Sequence, residues 1–216
     1  VTSKHDPNAS SRWDASAASP TLPLALDAPK LRESLRSTLA ARERRVFGVG
    51  PWKKSAVLVP LFERDIDTHV LLLRRAENMR SHSGQVAFPG GKHDPDDDSL
   101  LTTALREAEE EVGLRKDAVD VLGALDDLVT ITGFAITPYV GWIPHDAELL
   151  PNPSEVARVF SAPLRAFAVP PADVHHHVVA HLGYRIDGEM VWGATAAIAR
   201  GLAALLEDAF GGARRR

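Results

Sequence analysis

The chain has 216 residues, a formal charge of −4 and 44% hydrophobic residues, which suits one ordinary domain with terminal additions and supplies enough apolar material for a core. It has no cysteine, so disulfides, thiol catalysis and Cys-ligated zinc are excluded. The mild acidity gives no nucleic-acid surface. Neither a secretory signal nor an apolar run near the ~18 residues of a membrane span is present, so a cytoplasmic protein without a membrane partner is expected.

Residues 1–20 are rich in Ser, Ala and Asp, close on Pro20, and read as a flexible N-terminal segment. Residues 21–50 read as a leader helix and linker. Leu31, Leu35 and Leu39 recur at helical spacing, which predicts a helix from about Ala28 to Arg44 with Pro29 at a first helical position. Gly48, Gly50 and Pro51 break the chain after it. The main domain is expected over residues 51–216. Ser55–Phe62 and His69–Leu73 read as strands joined by the charged turn Glu63–Thr68. Gln85–Phe88 is a short third strand that feeds Pro89, Gly90 and Gly91.

The densest chemistry follows, from Gly90 to Leu114: GGKHDPDDDSLLTTALREAEEEVGL. At ~100° per residue with Glu107 at zero, Leu101, Ala104, Leu105, Ala108 and Val112 fall in an arc of roughly 60° to 160°, a core-facing stripe. Glu110 and Glu111 flank Glu107 beside that seam. Asp98 or Ser99 can cap the helix and Gly113 can end it in a left-handed conformation. Arg106 stands four residues before Glu110 and can brace its carboxylate. Crowded acids repel one another, which makes sense if a divalent cation neutralises them. Hard oxygen ligands of this kind suit magnesium or manganese. The plain alternative is a solvated helix face.

Val119–Leu125 and Ile136–Ile143 read as further strands. Between them Asp126–Phe134 is a loop placed where a substrate could lie. Asn152–Ser154 turns the chain, Glu155–Phe160 resumes it, and Pro163, Pro170 and Pro171 bound a short segment. His175, His176 and His177 alternate faces if they lie in a strand, so they read as a surface or edge feature rather than a metal site. Val179–Ile186 and Met190–Trp192 form a hairpin around Asp187-Gly188. A closing helix from about Thr195 to Phe210 buries Ile198, Leu202, Leu205 and Leu206. Trp142 and Trp192 read as core anchors rather than adenine stackers, and Arg214–Arg216 as a frayed tail. Strands mixed with two strong helices predict an α/β or α+β layered fold.

Gly90, Gly91, Asp98, Arg106, Glu107, Glu110, Glu111, Gly113 and Leu114 together resemble the Nudix box. The upstream stretch LLLRRAENMRSHSGQVAFPGGKHD is similar to the signature of the coenzyme A pyrophosphatase branch of that family, in a bacterial member. Its carriers are Leu73, Arg74, Arg80, His82, Gly84, Gln85, Val86, Phe88 and Pro89. Pro153-Ser154-Glu155-Val156 and the Trp192-Gly193-x-Thr195 entry to the last helix also look like that branch. The chain departs from the commonest box in two ways. Its interval from Gly91 to Arg106 is one residue longer, as in this branch, and Asp98 or Asp97 replaces a glutamate, so that position either touches metal or holds the loop.

The resemblance implies a Nudix-type α/β/α sandwich with a mixed sheet. It implies Mg2+ or Mn2+ held by Glu107, Glu110, Glu111 and a backbone carbonyl near Gly91. Either Glu111 or Glu110 acts as base, with Arg106 beside them. Gly90 and Gly91 let the backbone approach phosphates, and Arg74 and Arg80 are preferred over Arg75 for substrate anions. The implied reaction is cleavage of coenzyme A to 3′,5′-ADP and 4′-phosphopantetheine. Other readings are a pyrophosphatase acting on ADP-ribose or another nucleoside diphosphate derivative, a non-catalytic nucleotide-binding Nudix module, and, more weakly, RNA decapping. Monomer and homodimer both stay open.

Overall fold

Residues 28–48, 50–79, 82–176 and 179–211 are described by the structure, a computed structural model. The N-terminal segment, Arg80, His177 and the closing arginines lie outside the described residues. The centre is β1 (Lys53–Arg64), whose apolar run is buried through its middle. It runs parallel to β7 (Phe134–Trp142), from Lys53 opposite Phe134 to Leu61 opposite Trp142. Its other edge is shared by two antiparallel neighbours. β2 (Asp67–Arg75) takes the C-terminal half and the short β4 (Gly90–Lys92) takes the N-terminal half. The two-residue β3 (Val86–Ala87) and β8 (Val156–Pro163) pair with β2, while β5 (Asp120–Ala124) and β6 (Leu128–Val129) pair with β7. A separate antiparallel sheet contains β9 (Ala172–His176), β10 (Val179–Ile186) and β11 (Glu189–Trp192).

Because strand side chains alternate between faces, the large sheet buries two separate cores. On one face Val59, Leu61, Val70 and Leu72 pack with Leu35 and Leu39 of α1 (Ala28–Ala41) and with Ile198, Leu202 and Leu206 of α3 (Gly193–Gly211). On the other, Ala56, Leu58, Leu71 and Leu73 pack with Ala104, Ala108 and Val112 of α2 (Leu100–Val112). Helices on both faces of a mixed sheet make the expected α/β/α sandwich.

The leader helix starts where its periodicity predicts but stops at Ala41, short of Arg44. Its own arginines and those beyond it pair with acids of the sheet edge. Arg36 meets both Asp120 carboxylate oxygens at 2.7 Å and Arg32 pairs with the same residue. Arg42 reaches Asp126 at 2.8 Å, and Arg44 reaches Asp127 at 3.1 Å. Asp127 also accepts from the Phe47 N–H at 2.9 Å and from the Thr137 hydroxyl at 2.7 Å. The leader is thus stitched along the β5–β6 edge, and the stretch expected as a loop, 126–134, contains β6. The Asp187-Gly188 hairpin forms as expected, and Trp142 is a core side chain. β9 is a strand that the proline-bounded segment did not announce.

Candidate active site

α2 begins on Ser99, whose hydroxyl accepts the Thr102 N–H at 3.1 Å. It ends on Gly113 at φ 70, a left-handed position that glycine takes without steric cost. The cap is therefore Ser99 and not Asp98, which is exposed. Its neighbour Asp97 is the buried member of the aspartate run. Asp97 accepts from Thr103 Oγ1 at 2.8 Å, from Arg106 Nε at 3.0 Å and from Arg106 Nη2 at 3.1 Å. All of these partners belong to the loop and helix, so Asp97 holds the box together.

The Arg106 guanidinium, followed by the Thr103 hydroxyl, keeps the Asp97 carboxyl far below its ordinary range despite burial. A depressed folded pKa stabilises fully above the unfolded value of about 4 and is lost as pH falls through it. Asp97→Asn should therefore cost about 2–3 kcal/mol at neutral pH. It should also flatten the decline of stability between about pH 5 and pH 2, as followed by denaturant melts across that range.

Two glutamates of α2 meet the glycine pair, and Arg106 ties a third to one of them. Arg106 Nη1 braces Glu110 at 2.8 Å, as its spacing predicts, and Arg106 Nη2 reaches Glu107 at 3.1 Å. Glu107 lies hard against Gly91. A Cβ placed on that glycine would stand 2.3–2.5 Å from the Glu107 carboxyl atoms. Glu111 is only 1% exposed. Its Oε2 accepts the Gly90 N–H at 3.0 Å and its Oε1 accepts Arg75 Nη1 at 2.9 Å. Glu109 faces solvent, near Lys116 at 3.5 Å, and is the ordinary surface member of the run.

Burial pushes the Glu111 carboxyl up to about 7, against the pull of the Gly90 N–H and Arg75, with Glu107 and Glu155 adding to the rise. Glu107 is raised too, first by burial and against Arg106. Desolvation, more than the neighbouring like charges, therefore makes Glu111 the carboxylate that can hold a proton near neutrality. Glu155 is a fourth acid facing this cluster. It enters through a turn in which Asn152 N–H binds the Glu111 carbonyl at 2.9 Å and Glu155 O accepts the Ala76 N–H at 2.8 Å. Glu155 is far along the chain from the box, so no local spacing marks it.

Of the arginines, Arg75 reaches Glu111, while Arg74 is held by Glu77 at 3.0 Å and Glu189 at 3.5 Å. Strand alternation carries a signal for this. Leu71 and Leu73 face α2, and Arg75 continues that face by period two. A register shift against β8 between Arg74 and Arg75 bends the strand end, as bulges beside sites commonly do.

Among the described residues no three His, Cys, Asp or Glu side chains stand ready as a metal cage, and Arg75 and Arg106 hold the carboxylates instead. The donor set still fits a hard divalent cation, because the buried Glu111 and the half-buried Glu107 lie at the glycine edge with the exposed Glu110 tied to Glu107 through Arg106, more negative charge than the two arginines satisfy. Glu107, Glu110 and Glu111 are the residues that would hold it. Gly91→Ala tests the close approach. The obstructed atoms end a flexible side chain, so the melting temperature should stay within about 3 °C, roughly 1 kcal/mol for a chain of this size. Activity should fall at least about tenfold as Glu107 is displaced. Unchanged activity would show that Glu107 need not sit against Gly91.

Comparison with known proteins gives the family. The NUDIX domain model matches residues 52–181. Over 157 residues the chain is 45% identical to the uncharacterized Nudix hydrolase NudL of Yersinia pestis (strain Pestoides F), covering 70% of this chain and 78% of that one. The NudL protein of Yersinia pseudotuberculosis serotype O:1b (strain IP 31758) gives the same figures. Among solved structures, a NUDIX hydrolase from Alicyclobacillus acidocaldarius is similar at 24% identity and a TM-score of 0.49, covering 71% of this chain and 91% of that one. With more than half of its length matched by the domain model and relatives 45% identical over 70% of it, the chain belongs to the Nudix hydrolase family.

Proposed function

We propose that the chain hydrolyses the diphosphate linkage of nucleoside diphosphate-linked small molecules with Mg2+ or Mn2+, and that coenzyme A or a derivative is the compound it takes, giving 3′,5′-ADP and 4′-phosphopantetheine. The observation that carries the chemistry is the buried Glu111, held between the Gly90 N–H and Arg75 beside Glu107 at Gly91. A divalent cation held by Glu107, Glu110 and Glu111 would neutralise the phosphate oxygens and acidify a water molecule. The chain's own groups do the remainder. Gly90 and Gly91 keep their edge free of side chains so that a diphosphate can approach the backbone. Arg106 fixes Glu107 and Glu110 in place. Glu111 Oε1 is the candidate to accept a proton from the attacking water, with Arg75 beside it to stabilise charge on the departing phosphate.

Family membership supports the wider substrate class, and ADP-ribose or another nucleoside diphosphate derivative fits the same box. The coenzyme A reading is supported by the resemblance of Leu73–Pro89 to that branch. The two separate on initial rates with coenzyme A, dephospho-coenzyme A and ADP-ribose. Coenzyme A should be cleaved at least about tenfold more efficiently than dephospho-coenzyme A, the factor that roughly 1.4 kcal/mol implies and less than a charge-assisted phosphate contact supplies. A preference for ADP-ribose would move the protein to the second reading. No turnover on any of them would leave a nucleotide-binding module.

A further inference from the structure

Most cations around the box already have acidic partners. Arg74 is on Glu77 and Glu189, Arg75 is on Glu111, and Arg106 is on Asp97, Glu107 and Glu110. Lys53 and Lys92 differ. Among the described residues neither forms an ion pair, yet their ammonium nitrogens lie 6.0 and 5.8 Å from the ring centroid of one residue, Phe134. The topology brings these three together. Lys53 pairs with Phe134 across β1 and β7, and Lys92 stands opposite Ser55, two residues along β1. By alternation all three occupy one sheet face. Phe134 is fixed there by the Thr130–Phe134 turn, through Thr130 N–H to Phe134 O at 2.8 Å and Lys53 N–H to Gly133 O at 2.9 Å.

Two ammonium groups drawn to one ring gain a modest cation–π attraction but repel each other. An anion completes such a group, and a phosphate monoester dianion matches its two charges. Lys92 directly follows Gly91, the glycine against which Glu107 rests. A ligand whose diphosphate lies on the glycine edge can therefore carry a second phosphate over to the lysine side. We propose that Lys53, Lys92 and Phe134 form a subsite for a phosphate monoester on the ribose of the substrate, with the ring flanking the sugar or base. This rests on the coenzyme A reading, for which the group is the 3′-phosphate, and it makes these residues the determinants of specificity.

The test is equilibrium binding of 3′,5′-ADP and of 5′-AMP to the full chain with Mg2+, for the parent, Lys53→Met/Lys92→Met and Lys92→Arg. The parent should bind 3′,5′-ADP at least about tenfold more tightly than 5′-AMP. The double variant should bring the two within about twofold, roughly 0.4 kcal/mol, with its melting temperature retained because both side chains are exposed. Lys92→Arg, which keeps the charge, should retain the preference. A parent without preference, or a double variant that keeps it, overturns the subsite. Coenzyme A hydrolysis measured on the same parent sample separates the two ideas. A parent that prefers 3′,5′-ADP but leaves coenzyme A intact keeps the subsite and loses the substrate reading.

Discussion

Glu111→Gln should keep the fold and lose turnover by roughly a hundredfold to a thousandfold, equivalent to the ~3–4 kcal/mol of removing a preorganised charge from the reacting centre. The fold should survive because the amide carbonyl can still accept the Gly90 N–H that Glu111 now accepts at 3.0 Å, and the side-chain volume is unchanged. The negative charge facing Arg75 and the site is what disappears. Burial also sets a pH signature in the presence of chelator. A carboxyl raised to about 7 in the fold favours its protonated form, so its contribution to stability is present at low pH and is lost as pH rises through that value. The stability difference should therefore shift toward the variant between about pH 5 and about pH 8. Near-normal turnover at saturating magnesium would remove Glu111 from the chemistry.

Removing the leader should have the largest effect on stability. Leu35 is fully buried and Leu39 is 6% exposed, both against the sheet core that includes Leu122 and Leu125. Their burial alone is worth ~1.5–3 kcal/mol each. Loss of the Arg36–Asp120, Arg42–Asp126 and Arg44–Asp127 contacts would leave three acids without their cationic partners, including the buried Asp127 side chain. A chain starting at residue 51 should lose about 5 kcal/mol or more, a drop of about 10–20 °C in melting temperature at this size, or fail to fold. A chain starting at residue 21 should melt and turn over like the parent, because residues 1–20 carry no apolar periodicity with which to pack. A residue-51 chain that melts within a few degrees of the parent would show that the leader is an appendage.

The legible parts are those in which one segment determines its own structure. α2 was readable from its apolar stripe and Gly113, with its cap narrowed to Asp98 or Ser99, and a layered α/β or α+β fold followed from strands mixed with helices, while the sandwich came from the family resemblance. The parts that were not legible depend on long-range packing. Asp96, Asp97 and Asp98 are equivalent in local sequence, and only the fold turns Asp97 to Arg106 and Thr103. The choice between Arg74 and Arg75 is a question of strand face, decided by the side on which Leu71 and Leu73 meet α2. Glu155 joins the acids because the Asn152 turn docks on the end of α2, where Leu150 N–H binds the Val112 carbonyl at 2.8 Å. β6 and β9 are too short to show a period of their own, and the leader's arginines only acquire meaning opposite the acids of β5 and its following turn.

The most direct test of the site is product identification with coenzyme A, ADP-ribose, NADH and diadenosine polyphosphates, using the parent and Glu111→Gln, with Mg2+ or Mn2+ and with chelator. The parent should split a diphosphate linkage only when the divalent ion is supplied, converting coenzyme A to 3′,5′-ADP and 4′-phosphopantetheine, and the variant should release the same products at least about a hundredfold more slowly. Undiminished cleavage by Glu111→Gln, or a parent that cleaves none of these compounds, would contradict a glutamate-centred diphosphate hydrolase at this glycine edge.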